Sequence, residues 1–229
     1  MVAQRYFTPE TFSFLRDLAK NNNRDWFNEN KGRYESQVKD PAVRFIVDVG
    51  PALNKISPHF RADPRANGGS LFRIYRDTRF SKDKTPFKTH TGIQFRHEAG
   101  KDVHAPGFYL HIHPQEIFIG VGIWHPDPKT LRRIRDQIVE DPAGWKRARG
   151  AKAFKTHFEL GGDSLVRAPK GYDPEHPLID DLRRKDFIAG SRMTQKDVTS
   201  PDFLKTFAAR CRAAGPFQKW LCGAVGVAY

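Results

Sequence analysis

The chain has 229 residues, 38% of them hydrophobic, with 18 Phe and 4 Trp, enough apolar and aromatic material for a packed core and too much for a disordered chain. Lys and Arg number 39 against 26 Asp and Glu, a formal net charge of +13, which favours anionic partners: phosphorylated metabolites, nucleic acid or an acidic membrane surface. No apolar run reaches the length of a membrane span, and the N-terminus MVAQRYFTPE lacks the apolar stretch of a secretory signal. The two cysteines, Cys211 and Cys222, have neither CxxC nor metal-ligand spacing. A reduced, cytoplasmic protein is expected, and composition does not fix its oligomeric state.

Residues 1–57 read as helical. Thr8-Pro9 is a start signal, with Thr as N-cap and Pro at the first helical position, and Phe12, Leu15, Leu18 and Ala19 follow at helical spacing. Asn21-Asn22-Asn23 ends that helix and caps the next, which buries Trp26, Phe27 and Tyr34. Asp40-Pro41 opens a third, with Phe45, Val49, Leu53 and Ile56 on one side. Pro51 is expected to bend or end it.

Residues 70–124 read as antiparallel sheet. Phe72 and Ile74 alternate with Arg73 and Tyr75 as one strand, and Ile93 and Phe95 mark a second. The clearest hairpin runs from Gly107 to Trp124 and turns at Pro114-Gln115. A two-residue turn sets Ile112 against Ile117, Leu110 against Ile119 and Phe108 against Val121, so that face is core. The other face carries Tyr109, His111 and His113 across from Gly120, Phe118 and Glu116. The glycines leave it bare, open to a ligand or to a covering helix.

After Pro126 helices return, with Leu131, Ile134 and Ile138 as the apolar stripe of an otherwise basic helix. PKGYDPEHP, residues 169–177, is a loop by its Pro and Gly content. Residues 178–184 read as helix, 186–193 as an added edge strand, and 201–228 as a helical tail. No repeat, linker or composition break divides the chain. The expectation is one α+β domain over 1–229: a central antiparallel sheet, about 70–124 plus a strand near 186–193, packed by N-terminal and C-terminal helices.

The strongest local feature is FRIYRDTRFSKDKTPFKTH, residues 72–90. Arg73, Arg76 and Arg79 are interleaved with Phe72, Tyr75 and Phe80, and Lys82, Lys84 and Lys88 follow around Pro86. Arginine's planar fork grips phosphate or carboxylate by paired hydrogen bonds, and aromatic neighbours hold such forks or stack on a ring. The segment therefore reads as an anion site. The competing reading is a lattice of ion pairs pinning a loop, with Asp77 or Asp186 as the partner of Arg76. A second basic cluster, residues 129–155, holds nine bases against three acids. Together with 61–90 it suggests a nucleic-acid surface, although such a helix is as readily a solvated face.

Other chemistry is weaker. Ser81 and Lys84 match the S-x-x-K spacing of penicillin-binding enzymes, but the region is loop-like and its S-D-N and K-T-G partners are missing. His111 and His113 share a strand face with Glu116 just past the turn, a set that could ligate Zn, Fe or Mn. The spacing is not that of a cupin, and no third His follows on a later strand. No P-loop, Rossmann fingerprint, helix-turn-helix or RNP motif is present, so no cofactor is expected.

These residues carry a family resemblance. FRIYRDTRFSKDKTPFKTH, then FYLHIHP with GVGIW, then RAPKGYDPEHP followed by LRRKDF, with RDWFNENKGRYE near the start, resemble a family of bacterial and fungal proteins catalogued as domain of unknown function 2461. The resemblance runs from about Phe7 to Leu221. It implies a soluble, intracellular α+β domain. It supplies no activity, cofactor or catalytic residue, but it marks Arg73, Tyr75, Arg76, Asp77, Arg79, Lys84, Pro86, Lys88, Pro169, Lys170 and Gly171 as part of the family's pattern.

The functional expectation is a site, with or without catalysis, for a small phosphate- or carboxylate-bearing ligand. Arg73, Arg76, Arg79, Lys84 and Lys88 would hold the anion, Tyr75 or Tyr109 its body, and Lys170 would close from the PKGY loop. The alternatives are a nucleic-acid binding module on the two basic clusters and a structural protein with an internal ion-pair lattice.

Overall fold

A computed structural model describes residues 5–100 and 104–229. Helices α1 (Pro9–Lys20), α2 (Arg24–Glu29), α3 (Lys31–Tyr34) and α4 (Asp40–Asn54) open the chain. The start signals act as read. Thr8 and Thr11 form a reciprocal cap with Pro9 at the first position, and the Asn23 side chain accepts the Trp26 N–H. Asp40-Pro41 opens α4, as read, although no break separates it from the preceding helix. The chain passes from α3 to α4 through a π-helical turn, Glu35–Lys39. A proline at 41 offers no N–H to the Gln37 carbonyl, and the Thr11 hydroxyl takes that carbonyl instead, at 2.7 Å. Pro51 does not end α4, which runs three residues further.

Next come β1 (Phe60–Arg61), β2 (Thr91–His97), β3 (Gly107–Ile112) and β4 (Ile117–Ile123). They are followed by α5 (Pro128–Glu140), α6 (Pro142–Gly150), α7 (Lys152–His157), β5 (Glu159–Gly161), α8 (Ile179–Leu182), β6 (Phe187–Met193), α9 (Gln195–Val198), α10 (Phe203–Ala213) and α11 (Gly215–Val225). The six strands form one antiparallel sheet in the order β1-β2-β3-β4-β6-β5, and the fold is α+β. The β3–β4 register is the one read from the sequence: Ile112 faces Ile117, Leu110 faces Ile119 and Phe108 faces Val121. Two expectations are corrected. The strand near 186–193 is β6, but it lies inside the sheet, because the three-residue β5 pairs along its outer side. Residues 72–75 form no ladder strand, only isolated bridges at Leu71–Ile93 and Tyr75–Phe87.

Nearly all the buried apolar side chains lie on one side of the sheet. Ile93, Phe95, Phe108, Leu110, Ile119 and Val121 pack with Phe45, Ile134, Phe203, Phe207 and Phe217 from the helices in the main core. Residues 71–91 instead form an arm of two limbs, tied by Arg76 N–H to the Pro86 carbonyl and Lys88 N–H to the Ile74 carbonyl. Its apolar residues, Ile74 and Phe87, enter a second, smaller core with Phe14, Leu15, Leu18, Phe27 and Val38. Phe87 stacks on Phe27 at 4.1 Å. The Asn22 amide clamps the Phe87 backbone from both sides, donating to its carbonyl and accepting from its N–H. Cys211 and Cys222 are buried, free thiols, and among the described residues no helix is long and apolar enough to cross a membrane.

Candidate functional site

Strand parity sets the surface that the helices leave uncovered. Alternate residues of each strand point away from the main core, and cross-strand pairing assembles them into rows. One row reads Gly92, His111, Phe118, Arg192. The next reads Gln94, Tyr109, Gly120, Gly190, Glu159, and the third Arg96, Gly107, Gly122, Ile188, Gly161. Two glycines are required by geometry. At Gly122, φ is +105° and a side chain would run into the Phe187 carbonyl. At Gly92, a Cβ would stand 2.7 Å from the Tyr109 hydroxyl, so glycine here lets Tyr109 lie across β2.

Upright rings stand on this face. His90, just before β2, packs on His111 at 4.5 Å between centroids, and His111 stacks on Phe118 at 4.8 Å and 13°. These separations match the spacing of neighbouring strands, about 4.8 Å, so adjacent strands hold the rings as a ladder. The Tyr109 hydroxyl lies 3.2 Å from His111 Nδ1. Burial pushes Tyr109 up to about 12. Burial, then the neighbouring imidazoles and Lys88, push His90 down to about 4, and burial with His113 does the same to His111. Both imidazoles are neutral at pH 7.

The arm adds cations over the same face. Phe72 packs on Tyr109 at 5.9 Å. Its ring meets Lys88 Nζ at 5.4 Å and the Arg96 guanidinium at 6.0 Å, contacts favoured by the ring quadrupole. Lys88 donates to the Arg73 carbonyl, and burial followed by the Arg73 charge lowers its pKa. Among the described residues no carboxylate forms an ion pair with Arg73, Lys88, Arg96 or Arg192; the Arg96 Nε–H goes to the Gln94 amide oxygen. The Arg73 charge disfavours the protonated form of Lys88, and no counter-charge among the described residues offsets it.

The other expected site residues lie elsewhere. Arg76 does not pair with Asp77 or Asp186; it binds Asp83 and the Thr85 hydroxyl. Asp186 is buried and accepts the N–H groups of His125 and Asp163. Arg79 makes a two-bond pair with Asp77. The hydrogen bonds from Arg79 and Arg76 hold Asp77 and Asp83 down at about 2. Lys84 Nζ donates to the Thr78 carbonyl, and Ser81 sits in a turn rather than at a helix start. These three bases stiffen the tip of the arm. Tyr75 is half exposed and packs beside Phe27 and Phe87. Lys170 is exposed, and two residues on, the Tyr172 hydroxyl bonds Asp136. The PKGY loop is thereby held against α5, and among the described residues no hydrogen bond or ion pair joins Lys170 to the arm.

The rings of His111 and His113 stand 6.4 Å apart, and His113 Nδ1 takes the Gln115 N–H. Among the described residues no group of three His, Cys, Asp or Glu is gathered to hold a metal ion. The basic cluster 129–155 lies on α5–α7, which pack against the core side of the sheet. Several of its arginines are already used: Arg133 on the Val225 carbonyl, Arg135 on the Arg184 carbonyl and Arg149 on Asp181.

Of the residues singled out in the sequence, Lys88 and Tyr109 meet Phe72 on this face and the Arg73 charge acts on Lys88, whereas Arg96, Phe118, Arg192 and His90 were not singled out. The β2–β3 connection is too long to fix a register by itself, and only the pairing of Gln94 with Tyr109 brings Arg96 beside Phe72.

An α+β sheet with one helix-covered side and one open, basic and ring-bearing side defines the architecture. The model of the family described as conserved hypothetical protein (DUF2461) matches residues 10–220, and the chain belongs to that family. No curated protein and no solved structure matches it.

Proposed function

We propose that the open sheet face binds a small phosphate- or carboxylate-bearing molecule, with its anionic group among Arg73, Lys88 and Arg96 and its body over Tyr109. One observation carries this reading: Lys88 and Arg96 both meet the Phe72 ring and the Arg73 charge acts on Lys88, and among the described residues no carboxylate pairs with any of the three. A charge-assisted hydrogen bond to each would be worth about 1.5–3 kcal/mol. Arg76, Arg79 and Lys84 act as supports of the arm, because their hydrogen bonds are already spent on Asp83, Asp77 and the Thr78 carbonyl. The nucleic-acid reading is the weaker one: the clusters 61–90 and 129–155 lie on opposite sides of the sheet and offer no common track for a phosphate backbone.

The test is a thermal-shift and calorimetric screen of small phosphates and carboxylates against the full chain, repeated with Lys88→Gln and Arg96→Gln. The expected result is stabilisation by a subset of anions that either substitution weakens at least tenfold. No stabilisation by any anion overturns the reading, as does binding indifferent to both substitutions. Steeply salt-dependent binding of oligonucleotides without binding of small anions transfers the surface to nucleic acid.

A further inference from the structure

Among the described residues, Phe118 receives ring contacts from one side only. Its two ring neighbours, Tyr109 at 6.0 Å and His111 at 4.8 Å, both belong to β3, so the ladder His90–His111–Phe118 stops at β4. The next strand, β6, places Arg192 directly opposite Phe118 and Gly190 opposite Gly120. The Phe118 ring leans along its own strand, with Cε2 3.6 Å from where a Gly120 side chain would begin, which sets it beside Gly190. A Cβ added at Gly190 would meet nothing within 4 Å. Arg192 is exposed, and among the described residues its side chain has no hydrogen-bond or ion-pair partner.

We propose that a planar heteroaromatic ring of the ligand continues this ladder, stacked on the β6-facing side of Phe118 and covered by the Arg192 guanidinium. The proposal rests on the anion reading above and names its ligand class: a nucleotide. The ring position and the Arg73–Lys88–Arg96 cations stand about two to three strand spacings apart, roughly 10–14 Å. Inorganic phosphate cannot bridge that span, whereas a base joined through its sugar to two phosphates can. The occupant carries negative charge at one end and an electron-rich plane at the other. The face offers cations at one end and, at the other, an aromatic ring with an exposed guanidinium, the pairing that sequence-tolerant base recognition uses. The two imidazoles between are uncharged at neutral pH and serve as rungs of the ladder, leaving the phosphates to the arm.

Calorimetry of the full chain with ADP and UDP against pyrophosphate tests this. Base stacking is expected to make the nucleotides bind roughly 5–150-fold tighter than pyrophosphate. Phe118→Leu and Gly190→Val are expected to remove that advantage and leave pyrophosphate affinity unchanged. Gly190→Val projects into open space, so an unchanged melting temperature shows that it acts on the ligand and not on the fold. Lys88→Gln is expected to weaken both ligands together. Equal affinity for nucleotide and pyrophosphate, with both sensitive to Lys88→Gln, overturns the stacking proposal and leaves the anion site standing. A nucleotide advantage that survives both Phe118→Leu and Gly190→Val also overturns it. Failure of every anion to bind overturns both readings. A strong preference for oligonucleotides over the diphosphates overturns it in favour of a polymer.

Discussion

Phe87→Ala should release the arm from the body of the protein while leaving the main core intact. The ring is 2% exposed, stacked on Phe27 and packed in the cluster of Phe14, Leu15, Leu18, Ile74 and Val38. Truncating a buried Phe to Ala costs about 3–5 kcal/mol through lost transfer energy and the cavity left behind. The two hydrogen bonds between Asn22 and the Phe87 backbone survive, but at about 0.5–1.5 kcal/mol each they do not offset that loss. The smaller core shares no buried residue with the main one, so the cost falls on docking of the arm. Hydrogen exchange reads it directly. The Arg76 and Lys88 amides bond across the arm to the Pro86 and Ile74 carbonyls, and a loss of about 3 kcal/mol speeds their exchange roughly a hundredfold. The amides of β3 and β4 should hold their protection. Unchanged exchange at Arg76 and Lys88, or an equal loss across β3 and β4, would refute the two-core account. Anion affinity is expected to fall alongside, since Arg73 and Lys88 are carried on the same limbs.

The neutral imidazoles predict a pH dependence. His90 and His111 titrate near 4 in the folded chain against about 6.5 in a model peptide, so the folded state disfavours their protonated forms. Their contribution to stability is complete above pH 6.5 and is lost as the pH falls toward 4; NMR titration should find two histidines near 4, and two values near 6.5 would contradict the buried ladder. Arg79→Ala should leave the melting temperature and anion affinity unchanged, because its pair with Asp77 is local and solvent-screened, with side chains 77% and 46% exposed. A large loss of anion affinity at an unchanged melting temperature would return Arg79 to the binding site, and a large fall in melting temperature would contradict the solvent-screened account of its ion pair.

Local signals in the sequence were sufficient wherever one element governs itself. Thr8-Pro9 and Asn23 capped the helices they were read to cap, and a two-residue turn at Pro114-Gln115 fixed every pair of the β3–β4 hairpin, because a tight turn leaves a single register. The charge of the segment 72–90 and the sharing of one face by Tyr109 and His111 were legible for the same reason, but whether a helix covers that face was not. The long-range pairings were not. Residues 72–75 alternate like a strand, yet Ile74 and Phe87 fill the small core under α1 and α2, and that demand bends the segment into an arm. Arg76 and Arg79 look identical to Arg73 in sequence, but the arm's tip turns Asp83 and Asp77 onto the first two, and among the described residues Arg73 has no such partner. The sequence by itself determined that this protein carries a concentrated positive charge and a sheet face of small and ring-bearing residues, which it left open to a ligand or to a covering helix. Which cations remain unmatched there, and which rings stand next to them, was decided by tertiary structure, since charge neutralisation depends on distances across strands and loops that no local pattern encodes.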